Sequence, residues 1–315
     1  MQAAVVHKYG APDAVNVVDV PQPKPGTGDV LVRVRAAAVT SADSRVRAAR
    51  FPSGFALFAR LAFGVLRPRR AILGSAFSGE VAAVGAGVSG FSPSDEVCGM
   101  TGTKLGAHAE YVVVPAKKLA RVPAGVSHED AAGLLFGGTT ALYFLRDKAV
   151  VKPGMSVLVN GASGAVGTSA VQLAKHLGAT VTGVTSSSNA ALVTTLGAER
   201  VIDYTAHDVA TVTDQFDAVL DTVGNLSIAS GRRLLNDDGV LVLAVAGLGE
   251  LVRARGKVIA GAAPERVEDF EFLLRLVADG EFTVVLDQVY GLHDVAAAHR
   301  RVDSGRKVGN IVVRP

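Results

Sequence analysis

The residues Ser156-Val-Leu-Val-Asn160-Gly161-Ala-Ser163-Gly164-Ala-Val-Gly167 give the clearest indication of the fold of the second half of the chain. An apolar strand runs into a turn with glycines three residues apart, and a helical pattern from Thr168 to Leu177 follows. Such a turn lets backbone N–H groups and the positive end of a helix dipole approach a pyrophosphate. The pattern predicts a dinucleotide site, although glycines that serve only close helix–strand packing are the alternative. Its predicted cofactor-binding residues are Asn160, Gly161, Ser163, Gly164, Ala165, Val166 and Gly167.

The sequence on either side of this motif predicts two domains. From about His128, helices alternate with short buried strands, which is typical of a doubly wound parallel sheet. The first third instead has short β-branched runs broken by Pro and Gly, which predicts an antiparallel, barrel-like domain. Strand patterns return near Phe282. We therefore expect one domain at residues 1–124 and 283–315 and a nucleotide-binding domain at 125–282.

The end of the second strand indicates which dinucleotide binds. The run Val184-Thr185-Ser186-Ser187-Ser188-Asn189 has no carboxylate to repel a 2′-phosphate, and its hydroxyls can hydrogen-bond one. NADP is therefore favoured over NAD, but the preference is modest because no Arg or Lys in the run pairs with the phosphate. The serines can also cap the following helix. Tyr204, after the next strand, either faces the same phosphate or lies at the surface.

Composition excludes several other classes of protein. The chain has 315 residues, of which 49% are hydrophobic and 19% charged, so disorder is excluded. One cysteine, Cys98, cannot form an internal disulfide or a multi-cysteine metal site, and a small hydrophobic role is expected for it. A net charge of +3 does not indicate nucleic-acid binding. No targeting or membrane-spanning pattern is found, and a soluble, cytoplasmic protein is expected.

The segment Phe51 to Leu66 is apolar, and Arg67, Arg69 and Arg70 follow it. Weak contact of residues 51–70 with a membrane surface is one interpretation. A helix packed over a pocket as a lid or wall is favoured, because the apolar residues form no clean one-sided stripe.

Several motifs beyond the glycine turn carry a family resemblance over essentially the whole chain. They include Pro23-Lys-Pro-Gly-Thr-Gly-Asp-Val, Gly106-Ala-His-Ala-Glu-Tyr111, Phe136-Gly-Gly-Thr-Thr-Ala141 and Gly305-Arg-Lys-Val-Gly-Asn310. Together they resemble the medium-chain dehydrogenase/reductase superfamily, in its zinc-free quinone oxidoreductase and enone reductase branch. The resemblance implies an α/β fold with a GroES-like β-barrel domain, a Rossmann domain and an active site in the cleft.

The resemblance also bears on metal binding. Zinc-dependent relatives hold a catalytic metal through a Cys, a His-Glu pair after a glycine, and a later Cys or Asp. The matching positions here are Thr40 or Ser41, Ser75-Ala76 after Gly74, and Phe136 or Gly137. None offers a thiolate or imidazole, so no catalytic zinc is expected.

Without a metal, the implied reaction is transfer of the NADPH hydride to a quinone or to the C=C bond of an α,β-unsaturated carbonyl. Protonation would come from solvent or a nearby hydroxyl. By resemblance, Thr140 lies near the nicotinamide, Val245, Ala246 and Asn310 line the cofactor groove, and Thr40 and Tyr111 are candidate catalytic residues.

Two other functions stay open. One is an enoyl-thioester reductase on carrier- or CoA-bound substrates, and the other is a non-catalytic, membrane-associated nucleotide-binding module. Relatives of this fold often pair through an edge strand of the Rossmann sheet, so a homodimer is expected, with residues 240–245 as the candidate edge.

Overall fold

The computed structural model describes all 315 residues, which form fifteen strands and nine α-helices. The strands are β1 Gln2–Val6, β2 Val15–Asp19, β3 Asp29–Ala38, β4 Ala76–Val84, β5 Glu96–Met100, β6 Tyr111–Pro115, β7 Leu119–Arg121, β8 Ser156–Asn160, β9 Thr180–Thr185, β10 Arg200–Asp203, β11 Phe216–Asp221, β12 Leu235–Leu243, β13 Val258–Ala260, β14 Leu286–Gly291 and β15 Asn310–Arg314. The helices are α1 Ser41–Ala48, α2 Ala56–Phe63, α3 His128–Leu142, α4 Ala165–His176, α5 Ala190–Thr195, α6 Ile228–Arg233, α7 Leu248–Arg253, α8 Val267–Ala278 and α9 Val295–Asp303. No helix is long and apolar enough to cross a membrane.

The chain divides into two compact units. The first contains Met1–Phe51, Ala56–Phe136 and Glu265–Pro315, and the second contains Pro52–Phe55 and Gly137–Pro264. The divisions at 136/137 and 264/265 differ from the predicted 124/125 and 282/283. The difference arises because the first turns of α3 and the whole of α8 pack with the first unit, where Lys118 forms an ion pair with Glu265 just before α8.

The first unit is built around β3, whose alternating residues Val30, Val32 and Val34 are buried. Its main sheet has the order β14-β15-β3-β4-β5-β7, with β6 also paired to β3, and β1 and β2 form a separate hairpin. All of these pairs are antiparallel except β14 with β15. Register shifts in the pairing of β3 with β4 bend the sheet as bulges do. The predicted return of the C-terminal strands to this unit is confirmed by the pairing of β15 with β3.

The second unit contains a six-stranded parallel sheet in the order β10-β9-β8-β11-β12-β13. Counted from β8 as the first strand, this is the order 3-2-1-4-5-6 of a Rossmann fold. Leu158, Val219 and Leu241 are fully buried in its core, as expected for strands covered on both faces. The predicted doubly wound sheet is confirmed.

Two details of the predicted elements were wrong. Residues 240–243 belong to β12, which lies between β11 and β13, so the edge strand is β13 instead. β13 was not predicted, because a strand of three residues in an apolar stretch is too short to show a strand pattern. The helix expected over 127–148 ends as α3 at Leu142 and continues as a π-helical turn over Tyr143–Lys148.

The apolar segment after Phe51 forms the short helix α2, and none of its residues is buried. Phe63 stacks on Phe51 with ring centroids 5.9 Å apart, which holds one side of the helix to the first unit. On the other side Leu57 and Phe58 are 67% and 60% exposed. This face is uncovered, and the prediction of a lid or wall over a pocket stays a prediction.

Cys98 is a buried residue of β5. Burial raises the pKa of its thiol to about 12, so the side chain stays protonated at neutral pH. Its expected role as a small core residue is consistent with this environment.

Candidate functional site

The candidate site lies where the strand order of the parallel sheet reverses, between β8 and β11. Ligands of open α/β sheets bind outside the carboxyl ends of the strands at this switch point. Asn160 ends β8 and Asp221 ends β11, and the two residues are register partners. The fold therefore places the glycine turn after Asn160 at the expected ligand-binding edge of the sheet.

The three glycines of the turn do not have the same role. Gly161 has φ +84°, and a Cβ there would come within 2.6 Å of Thr222 Oγ1. A Cβ on Gly167 would lie 2.0 Å from the Gly161 carbonyl oxygen. Packing and backbone conformation thus require both of these glycines. Gly164 has an ordinary φ of −79°, and a Cβ there would meet only the Gly161 oxygen, at 3.5 Å.

The amino end of α4 provides donors for an anion. The Thr168 amide donates to the Gly164 carbonyl at 2.8 Å, so the amides of Ala165, Val166 and Gly167 precede this first intrahelical bond. No acidic side chain lies in the first turn to neutralise the helix dipole. These donors and the open space beside Gly164 fit a pyrophosphate.

Side-chain hydrogen bonds join the end of β8 to the end of β11 and to the loop that follows β11. Asn160 Nδ2 donates to Asp221 Oδ1 at 2.9 Å and to Asn225 Oδ1 at 2.6 Å. Asp221 is fully buried and also accepts from the amides of Val223, Gly224 and Leu226. The Asn160 side chain therefore holds the loop after β11. Asp221 and Asn225 were missed as site residues, and the signal was an Asp ending a strand just before the turn glycine Gly224.

The hydroxyls after β9 form a network with the glycine turn. Thr185 Oγ1 donates to Ser163 Oγ at 2.9 Å, and Asn189 Nδ2 donates to the same oxygen at 3.3 Å. Ser186 and Ser188 share a hydrogen bond of 2.9 Å between their hydroxyls. The predicted residues at the two strand ends are thus brought together around Ser163.

A carboxylate also lies at this point, although the run after β9 contains none. Asp203 ends β10 and is the register partner of Thr185. Hydrogen bonds from the hydroxyl and amide of Thr205, and then from Ser187, lower the pKa of the Asp203 carboxyl. It is therefore ionised at neutral pH. The run after β9 contains no carboxylate, but sheet pairing brings one from β10 beside it. Tyr204, the next residue, is 58% exposed.

The other predicted cofactor contacts lie in different parts of the chain. A Cβ on Gly137 would come within 2.4 Å of the Ala165 carbonyl oxygen, so α3 approaches the start of α4, and Thr140 follows Gly137 by one turn. Val245 packs against Gly224, and Ala246 packs against the sheet core. Asn310 lies in the first unit, where its side-chain amide donates to the Val285 carbonyl at 3.2 Å.

The two catalytic candidates belong to the first unit and are not brought together. Thr40 is buried as the N-cap of α1, and its hydroxyl donates to Asp43 Oδ2 at 2.6 Å. Tyr111 begins β6 and is the register partner of Arg33. Arg33 precedes Thr40 by seven residues, which corresponds to about 20 Å of extended chain.

The positions that match zinc ligands carry no metal-binding cluster. Gly74 has φ +86°, and a Cβ there would meet His108 at 2.4 Å, so Ser75 follows a tightly packed turn. The amide of Gly74 donates to Asp43 Oδ1 at 3.0 Å. No group of three or more His, Cys, Asp or Glu side chains is placed to hold a metal ion.

A surface pocket of about 370 Å³ lies elsewhere in the second unit, between the π-helical turn and β13. Tyr143 and Lys148 line it, and the Lys148 ammonium lies 5.2 Å from the Tyr143 ring centroid. None of the predicted site residues lines this pocket.

Two family models match the chain. Residues 26–124 match the alcohol dehydrogenase GroES-like domain, and residues 196–313 match a domain described as zinc-binding dehydrogenase.

Three relatives match nearly the whole chain. A quinone oxidoreductase from Pseudomonas aeruginosa is 31% identical over 98% of this chain and 97% of its own length. A 2-haloacrylate reductase from a Burkholderia species is 29% identical over 100% and 99% of the two chains. An acryloyl-coenzyme A reductase from Metallosphaera sedula is 28% identical over 99% of each.

Two solved structures share the fold over the full length. The quinone oxidoreductase from Coxiella burnetii has a TM-score of 0.91 at 28% identity, covering 100% of this chain and 99% of that one. The Escherichia coli quinone oxidoreductase, solved in complex with NADPH, has a TM-score of 0.84 at 25% identity and covers 100% of both chains.

Proposed function

Because this chain belongs to the medium-chain dehydrogenase/reductase superfamily, in its quinone oxidoreductase branch, we infer that it is an NADPH-dependent oxidoreductase. Its substrates are quinones or the C=C bond of α,β-unsaturated carbonyl compounds. The named relatives include both a quinone oxidoreductase and a 2-haloacrylate reductase, and a 2-haloacrylate carries a C=C bond conjugated to a carboxyl group.

The observation that carries this function is the open space beside Gly164. Gly161 and Gly167 are explained by packing, but nothing in the fold of the second unit requires glycine at position 164. A small residue at the start of α4 is explained by the approach of a ligand to the backbone. This argues against the alternative in which all three glycines serve only packing.

Residues from several elements of the second unit would hold the dinucleotide. The amides of Ala165, Val166 and Gly167 bind the pyrophosphate, and the helix dipole stabilises its charge. Asp221 and Asn160 keep the loop after β11 in place, and Gly137 allows α3 to bring Thr140 close to α4. Val245 and Ala246 provide an apolar wall.

When bound, NADPH supplies the hydride that the β-carbon of the enone, or the quinone, accepts. The resulting negative charge spreads onto an enolate or hydroquinone oxygen, so no metal is needed to stabilise an alkoxide. The residues that bind both molecules contribute by orienting them and by excluding water. Solvent or a hydroxyl supplies the proton. We favour Tyr111 over Thr40 as that hydroxyl, because the Thr40 hydroxyl is bonded to Asp43.

A zinc-independent reaction is part of the proposal, although one matching family model is described as zinc-binding. The positions that would carry the metal are Thr40, Ser41, Ser75, Ala76, Phe136 and Gly137. Their side chains offer only hydroxyls, a methyl group and a phenyl ring, and the glycine offers none. This donor set does not fit zinc.

We propose a modest preference for NADPH over NADH. The hydroxyls of Ser186, Ser187 and Ser188 favour a 2′-phosphate, whereas the ionised Asp203 beside Ser187 disfavours it.

A thioester reductase is the second candidate function. The match to an acryloyl-coenzyme A reductase over nearly the full length supports it. Full-length matches to proteins named as reductases favour turnover over a non-catalytic nucleotide-binding module.

We also propose that the chain forms a homodimer through β13. Val258–Ala260 is paired with β12 on one side only, so its other edge offers backbone donors and acceptors to a second copy. A mass measurement in solution tests this, and Ala260→Pro, which removes an N–H that faces the free edge, is expected to give a monomer.

The test of function is NADPH and NADH oxidation with a panel of acceptors: a small enone, a 2-alkenal, an ortho- and a para-quinone, crotonyl-coenzyme A and a simple ketone. Turnover of enone or quinone with NADPH, unaffected by a chelator and absent with the ketone, is expected. Chelator-sensitive ketone reduction would contradict the proposal. Turnover of crotonyl-coenzyme A alone would establish the second candidate.

A further inference from the structure

Helix α2 is apolar on both of its faces. The inner face carries Ala59 and Phe63, which are half-buried, and Phe63 stacks on Phe51. The opposite face carries Leu57, Phe58 and Leu61, which are 67%, 60% and 53% exposed. A helix that is hydrophobic all round is normally covered on all sides, so the outer face of α2 lacks the cover that its composition requires.

The exposed apolar surface continues beyond the helix. Val65 and Leu66 are 50% and 89% exposed. Five of the eleven large hydrophobic side chains that the chain exposes therefore lie within residues 57–66. Such a concentration marks an interaction surface rather than the scattered exposure of ordinary surfaces.

The charge around this surface has a single sign. Arg60, Arg67, Arg69 and Arg70 are exposed, and none of them forms an ion pair. No Asp or Glu occurs between Asp43 and Glu80. Long arginine side chains at the border of an apolar patch can keep their guanidinium groups in water while the patch is buried.

We propose that α2 and residues 64–70 form a docking surface for the interface of an anionic phospholipid bilayer. The apolar face would enter the boundary between headgroups and acyl chains, and the four arginines would bind the lipid phosphates. A bilayer fits better than a protein groove because arginines of a single sign border the apolar face, and the deformable interface of an anionic bilayer accepts such a face without a matching cavity. An eight-residue helix is about 12 Å long, so it lies within the interface. The proposal does not depend on the reductase function.

The experiment is vesicle sedimentation of the full-length protein at low salt. Wild type is expected to bind phosphatidylcholine vesicles containing 30% phosphatidylglycerol and not pure phosphatidylcholine vesicles. Leu57→Gln/Phe58→Gln/Leu61→Gln is expected to lower the partition coefficient at least tenfold. Arg67→Gln/Arg69→Gln/Arg70→Gln should lower it as well, by about fivefold for each arginine, and high salt should weaken wild-type binding.

Val252→Gln/Arg253→Gln on α7 is the matched control, because it removes an exposed apolar and an exposed basic side chain elsewhere. It should bind vesicles like wild type. Thermal melting checks that each variant is folded, and NADPH oxidation with a water-soluble quinone is expected to be unchanged.

Four outcomes would overturn the proposal. Wild type could fail to bind either kind of vesicle, or the triple apolar variant could bind vesicles like wild type. A dimer in solution that the apolar variant abolishes, without lipid binding, would assign the surface to a second copy of the chain. If the triple apolar variant loses quinone turnover but binds lipid like wild type, the segment is a substrate lid.

Discussion

The hydroxyl and the amide of Ser187 lie close to the carboxylate of Asp203 and, after the hydrogen bonds from Thr205, help to lower its pKa. These two residues end or follow neighbouring parallel strands, because Asp203 is the register partner of Thr185. The 2′-phosphate site that we propose at Ser187 therefore lies close to a fixed negative charge. The hydroxyl and the amide of Ser187 cannot donate fully to both the Asp203 carboxylate and the phosphate.

Asp203→Asn is therefore expected to increase the preference for NADPH. Removing the charge relieves repulsion of the 2′-phosphate and frees the donors of Ser187, so the ratio of kcat/KM for NADPH to that for NADH should rise about fivefold. Steady-state kinetics with both cofactors measures this. Asp208→Asn removes an exposed charge further along the same connection and should leave the ratio unchanged. An equal ratio in both variants would remove Asp203 from the cofactor site.

Gly164→Ala separates ligand approach from packing. The added Cβ meets only an ordinary contact at 3.5 Å, so the loss of stability should stay below about 1 kcal/mol. The Kd for NADPH, measured by quenching or calorimetry, should rise at least tenfold because the Cβ occupies the space of the phosphate. Gly167→Ala is the contrasting variant. Its Cβ would lie 2.0 Å from a carbonyl oxygen, so it should lose stability as well as binding. Unchanged NADPH binding in Gly164→Ala would contradict the proposed site.

Thr40→Ala tests whether Thr40 acts in catalysis or in folding. It removes the N-cap of α1 and a hydrogen bond to the buried Asp43, so the free energy of unfolding should fall by about 1–2 kcal/mol. Urea denaturation measures this. Thr40→Ser keeps the hydroxyl and should restore most of the stability. A fall in kcat of more than tenfold in Thr40→Ala, with wild-type stability, would instead assign Thr40 a catalytic role.

His299 is expected to make the protein sensitive to acid. Burial, and then the neighbouring His108 and Arg47, lower the pKa of His299 to about 3, although Asp303 acts in the opposite direction. The unfolded chain binds a proton at this histidine below about pH 6.5, whereas the folded protein does not. Above about pH 6.5, this histidine therefore does not lower the free energy of unfolding. As the pH falls from there towards 3, the free energy of unfolding falls by about 1.4 kcal/mol per pH unit.

Urea denaturation between pH 7 and pH 4 measures this slope. His299→Gln should be less stable at pH 7 because the buried site is disturbed, but its stability should fall less steeply in acid. His207→Gln, at an exposed position, should keep the wild-type slope. A wild-type slope in His299→Gln would show that other groups dominate the response to acid.

The amino-acid sequence was sufficient to predict the parallel nucleotide-binding sheet, the β-rich first unit and the position of the glycine turn. These depend on patterns that are local along the chain: the alternation of strands and helices, and glycines spaced around one strand end. Ser163 and Gly164 could be named as site residues because the turn that carries them is continuous with β8.

Tertiary structure alone decided which distant residues became neighbours. Asp203 reaches Ser187, and Asp221 reaches Asn160, because strand pairing places them side by side, and distance along the chain does not encode that pairing. The same reason explains why β13, rather than residues 240–245, is the edge strand. The exposed face of α2 also had to be seen in three dimensions, because a helix that is apolar on both sides does not reveal which side is packed.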